Sequence, residues 1–316
     1  MRSTSAALGF LVSAGLLAGC TSADPVATAN AAIESTPSTA STDPIDHLQV
    51  IAGPGTDGRA TPSPGLAKAQ AYVLDACHGA GLTTEEQAFP VRGQSANNIL
   101  ALRAGQGAHA SEIVLLSAHL DHLGPGFPGA DDNGSGSAAL VAIANRLANE
   151  SLDRTVALLW TAGEELGLVG SSYFTGHPPA SVPLDHVVQV LNLDAIAALD
   201  DTRFSILLDD TDASRHAADV MTDASHEMEP AFARINQDLA AYTQRTDGYS
   251  FVRHGVPTIW VSEGLTNPNG GGTLMPRYHK ATDTVENLIA ENGGNKLRRM
   301  TQMLASTVEK LANESR

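Results

Sequence analysis

The chain has 316 residues, a formal charge of −16 and two cysteines. Its length fits one large domain or two small ones, and 42% hydrophobic residues argue against global disorder. With 35 acids to 19 bases and 4% aromatics, its composition disfavours the basic patch and stacking platforms that nucleic acid needs, so no nucleic-acid partner is expected.

Arg2 is the only charge before Asp24, and an apolar run from Ala6 to Leu17 follows it. The run is too short to span a bilayer comfortably and has the grammar of an export signal. It ends in Leu17-Ala18-Gly19-Cys20, which resembles the bacterial lipobox, whose cysteine is lipidated and becomes the mature N-terminus. Residues 1–19 are therefore expected to be a lipoprotein signal peptide. Residues 20–43 are expected to be the lipidated Cys20 and a flexible Ala/Ser/Thr/Pro tether. The chain would then be exported and anchored by lipid to the cell envelope, at the outer membrane or cell surface. Residues 44–316 are expected to form one folded domain.

Gly53 to Gly58 formally match a dinucleotide fingerprint, but they follow no convincing strand and carry Pro54 inside the turn, so the match is read as chance. Leu66, Ala69, Val73 and Cys77 recur at helical spacing and predict an amphipathic helix over 65–79, with Cys77 a buried hydrophobe rather than a reactive thiol. Strands are predicted at 98–102 and 113–118, then a helix over 135–148 opened by small residues. Apolar strands follow at 155–161 and 187–193, and a shorter one at 206–208. A helix at 213–224, a strand at 257–261 and a closing helix at 296–311 complete the series. Near-continuous apolar strands alternating with helices imply an α/β fold: a single domain with a mostly parallel central sheet flanked by helices on both faces. Such sheets gather their chemistry at the carboxyl ends of the strands.

Those ends carry metal-ligand residue types. His119-Leu120-Asp121-His122 follows the strand ending at Ala118, and Gly129-Ala130-Asp131-Asp132-Asn133-Gly134 comes after a short loop. Gly163-Glu164-Glu165 follows the next strand, Asn192-Leu193-Asp194 the one after, and Tyr278-His279 lies far downstream. Imidazole with carboxylate oxygen suits a divalent metal of the zinc type. Crowded carboxylates would repel one another unless cations neutralised them, and a metal pair bridged by one carboxylate would do so.

These strings, with Leu166-Gly167 and Asp283-Thr284, resemble metallopeptidase family twenty-eight, the di-zinc aminopeptidases. The resemblance implies that His119 and Asp194 bind one Zn2+ ion, Glu165 and His279 the other, and that Asp132 bridges both. It implies Glu164 as general base, although spacing alone does not say which adjacent glutamate is base and which ligand. Asp121 would accept a hydrogen bond from the His119 ring, and the Tyr278 phenol could donate to an oxyanion. The implied activity is release of N-terminal residues from peptides with a free N-terminus.

Three features depart from the family pattern: Ala195 and Ala197 after the Asp194 motif, and Gly248 where a histidine often follows the aspartate at Asp247. Asp247 reads equally as a pocket residue or a loop cap, His122 as a neighbour of the site or a solvated loop residue, and Gly264 to Pro276 as a rim or a linker. Two other functions are open on the same scaffold: a single-zinc glutaminyl cyclase, and a non-catalytic surface-binding lipoprotein.

Overall fold

The computed structural model describes residues 38–198, 202–235, 243–262 and 275–314. The expected signal peptide, Cys20, most of the tether and all but the end of the 264–276 segment lie outside them. Eight strands form one mixed sheet in the order β1-β2-β4-β3-β5-β8-β6-β7. They are β1 Thr83–Val91, β2 Gln94–Arg103, β3 Ile113–His119, β4 Thr155–Thr161, β5 Val187–Leu193, β6 Arg203–Leu208, β7 Ala233–Ile235 and β8 Thr258–Ser262. The centre, β4-β3-β5-β8, is parallel. Antiparallel pairs flank it at β1–β2, β2–β4 and β6–β8.

The central strands are apolar on both sides because both faces are covered. In β3, Val114 and Leu116 enter one core cluster while Ile113 and Leu115 enter the other. In β4, Val156, Leu158 and Trp160 face the first cluster, and Ala157 and Leu159 the second. The first face is covered by helices α1 Pro44–Ile51, α2 Pro64–Gly79, α3 Gly136–Leu147, α5 Asp212–His226 and α8 Asn295–Asn313. Phe174 of α4 (Val169–Gly176) and Phe251 of α6 (Gly248–Val252) pack on the second. α7 spans Val285–Asn292. No helix among the described residues is long and apolar enough to cross a membrane.

The predicted strands and helices appear at their expected places, with ends that match or differ by a few residues. Four kinds of element went unpredicted. β1 is an edge strand with a mostly exposed pattern, so it shows no apolar run. β7 and α6 are only three and five residues long. α4 is rich in Gly, Ser and Thr, which weakens its helical signal. α1 and α7 are eight-residue helices started by side-chain caps from Asp43 and Thr284. Cys77 is fully buried and free, and burial raises its thiol to about 12, as an inert core residue requires. The Gly53–Gly58 segment follows a helix, not a strand, and forms a short 3-10 turn, so the fingerprint match was chance.

Candidate metal centre

The parallel strands end on one edge, and the predicted ligands gather there. His119 is the last residue of β3, Glu164 and Glu165 lie three and four residues past β4, and Asp194 follows β5 directly. Asp132 comes from the turn before α3, and His279 from the segment after β8. His119 Nε2 lies 3.2 Å from Asp132 Oδ1 and 3.5 Å from Asp194 Oδ1. His279 Nε2 lies 3.2 Å from Asp132 Oδ2 and 3.1 Å from Glu165 Oε2. The two oxygens of Asp132 thus face two different histidines. This is the arrangement expected of a carboxylate shared by two cations.

The donor chemistry fits such cations. Asp132 Oδ2 and Glu165 Oε1 are buried without a hydrogen-bond donor. An ionised carboxylate oxygen left so in the interior is costly unless a cation takes it up. One donor group consists of His119, Asp132 and Asp194, and another of His122, Asp132 and Glu165. Glu164 belongs to neither, which separates the adjacent glutamates as spacing could not. Burial pushes Glu164 well above the ordinary carboxylate range, aided by Asp194, Asp247 and Asp132 and opposed by His119.

The turn that presents Asp132 is held by its neighbours. Asp283 accepts the backbone N–H groups of Asp131 and Asp132 at 2.9 and 3.1 Å. Asp131 Oδ1 accepts from Ala197 N at 2.8 Å. Asn133 donates to the Leu193 carbonyl at 2.7 Å and accepts from Gly136 N at 3.0 Å. This ties the turn to the end of β5, where Asp194 sits. His279 itself is held at φ +55°, in the left-handed region that non-glycine residues adopt at a cost.

One expectation needs revision, and two readings left open are resolved. The Asp121 carboxylate stands 3.8 Å from His119 Nδ1, and the backbone carbonyl of Asp121 accepts from that nitrogen instead, at 3.1 Å. Its Oδ1 accepts from Glu164 N at 3.2 Å, so Asp121 orients the loop that carries Glu164. Asp247 is no loop cap: it makes no capping bond on α6 and is buried, accepting from the Thr161 hydroxyl at the end of β4. His122 is no solvated residue, being 1% exposed.

Tyr278 is 46% exposed and stacked on His279, with ring centroids 3.8 Å apart. Partial burial and the nearby carboxylates raise its phenol, which keeps it protonated and able to donate.

Sequence reasoning missed Arg59, which is fully buried. Its guanidinium donates to the carbonyls of Leu120, Ile51, Pro128 and Gly129. The signal was weak: one arginine at the end of a glycine-rich turn. Asp283, four residues past His279, was seen only as part of a string.

A family model described as peptidase family M28 matches residues 98–308. A leucine aminopeptidase 2 of Arthroderma otae is 26% identical over 253 residues, covering 74% of this chain and 50% of that protein. The chain spans about half the length of curated relatives of this kind. An aminopeptidase from Aneurinibacillus sp. strain AM-1 superposes with a TM-score of 0.69 at 14% identity, covering 89% of this chain and 95% of that one. Glutaminyl cyclase of Porphyromonas gingivalis superposes with a TM-score of 0.68 at 18% identity, covering 86% and 98%. At these identities the structural likeness speaks for the fold alone. The length of the family match and the clustering of its motif residues on one sheet edge carry the assignment: the chain belongs to peptidase family M28.

Proposed function

We propose that this protein is a zinc aminopeptidase that releases N-terminal residues from peptides. The observation that carries the reading is the shared carboxylate: Asp132 faces His119 with one oxygen and His279 with the other. Two Zn2+ ions fit, one at the donor group of His119, Asp132 and Asp194, the other at Asp132 and Glu165 where His279 Nε2 meets both carboxylates. When bound, zinc supplies a Lewis acid for the scissile carbonyl and lowers the pKa of a water. Glu164, raised by burial, takes the proton of the attacking water and returns it to the leaving amine. The Tyr278 phenol donates to the oxygen on which negative charge develops. The acidic edge attracts the free ammonium group of the substrate.

The test is a panel of aminoacyl amides and peptides, with metal counted by mass spectrometry. Turnover is expected to disappear with chelator, to return with Zn2+, and to need a free N-terminus. Chelator-resistant cleavage overturns the reading. A cyclised product from N-terminal glutaminyl peptides, with one ion per chain, would assign a cyclase instead.

We further propose that the chain is exported and anchored through a lipid on Cys20; the lipobox resemblance supports this. Cys20→Ala is expected to move the protein from the membrane to the soluble fraction of a bacterial host. Unchanged membrane fractionation would remove the anchor.

A further inference from the structure

We propose that His122 is a ligand at the position formed by Asp132, Glu165 and His279, binding through Nδ1 and bringing that position to four protein side chains. The inference rests on the two-cation reading above. The His122 ring is 1% exposed, and neither of its nitrogens has a hydrogen-bond partner. A buried imidazole normally satisfies both, and each one left unpaired is costly.

The contact with Glu165 is informative. His122 Nδ1 lies 2.8 Å from Glu165 Oε1, yet neither atom finds a hydrogen bond. The two atoms stand side by side rather than donor to acceptor. Ligands of one cation stand in that way. With metal–ligand bonds of roughly 2.0–2.2 Å, two donors at a right-angle bite sit about 3 Å apart. Asp132 Oδ2, a third buried atom without a donor, lies 4.0 Å from the same nitrogen. Three orphaned atoms from three chain segments therefore converge on one point, and His279 meets two of the same residues from the other side.

The ring is held for this purpose. Gly129 has φ +60°, and a Cβ there would come within 2.4 Å of His122 Cγ, so the ring occupies space that only glycine leaves open. The backbone N–H of His122 donates to the Arg59 carbonyl at 3.2 Å, which fixes the residue's main chain. The ring also meets His279 edge-on at 5.7 Å. The result is an unequal pair of positions. One has a single imidazole, His119, with two carboxylates. The other has two imidazoles with two carboxylates and holds its ion more tightly.

The test uses the full chain loaded with Co2+. Each ligating histidine with a free ring N–H gives one exchangeable proton signal shifted far outside the normal NMR range. Three such signals are expected in the natural protein and two in His122→Asn. In parallel, Zn2+ competition against a chromophoric chelator should show two binding steps, with the variant weakened about 10–100-fold or more at one step only. Two shifted signals in the natural protein, or unchanged affinities in the variant, overturn the assignment of His122. Should the natural protein take up fewer than two ions, the two-cation reading fails, and this inference with it. If His122→Asn does not fold, His122→Gln replaces it, and the count in the natural protein still decides.

Discussion

Glu164→Gln is expected to retain its full complement of metal and to lose about 10²–10⁴-fold in kcat, the usual contribution of a positioned proton acceptor. The amide is the same size as the carboxylate, and Glu164 belongs to neither donor group, so the substitution removes the proposed base and spares the proposed ligands. Glu165→Gln should behave differently. Glu165 stands 2.8 Å from His122 and 3.1 Å from His279, so its loss weakens metal binding itself. Excess zinc should therefore restore part of the activity of Glu165→Gln and none of that of Glu164→Gln. Metal content, kcat and KM measured on both variants check this. If Glu164→Gln turns over within about tenfold of the natural protein, Glu164 is not the base.

The legibility of this chain follows the strength of its local signals. β3, β4 and β5 are apolar on both faces, so their runs stand out in the sequence. β1 escaped because an edge strand with one half-covered face looks like polar loop. The site shows the same division. His119, Glu165 and Asp194 were singled out because each belongs to a short motif just past an apolar strand, and Asp132 and His279 because their strings match the family pattern. The roles of their supports were not found. That Asp121 would use its carbonyl on His119 and its carboxylate on the Glu164 N–H depends on backbone direction, which no spacing encodes. Asp247 lies under the site because α6 brings it to the end of β4, a pairing across 86 residues. His122 reads as a loop histidine until Gly129 is seen to make room for its ring.

Arg59→Met is expected to destabilise the fold by about 3–5 kcal/mol, in the range seen when one partner of a buried charged network is removed. For a chain of this size that corresponds to a fall in Tm of roughly 6–20 °C. The guanidinium donates at 2.7 Å to Leu120 and Pro128 and at 2.9 Å to Ile51 and Gly129, all carbonyl oxygens. Methionine fills similar volume and leaves those acceptors without a donor inside the protein. Burial lowers the Arg59 group to about 10, yet that still leaves it a cation at neutral pH, with Asp121, Asp283, Asp132 and Glu165 as compensating charges. It therefore offsets part of the repulsion among the site carboxylates before any metal arrives. It also ties together the two ends of the loop that carries His122, because Leu120 and Gly129 bracket it. Arg59→Lys should keep the charge and lose most of the four-way bonding, so its Tm should fall between the other two. Zinc should raise the Tm of all three, since a ligand that binds only the folded state stabilises it. The increment should be smallest in Arg59→Met, where the loop bearing His122 is least ordered. Thermal unfolding with and without zinc measures both effects. A Tm for Arg59→Met within a degree or two of the natural protein would show that water satisfies the four carbonyls and that the arginine is not what holds the loop.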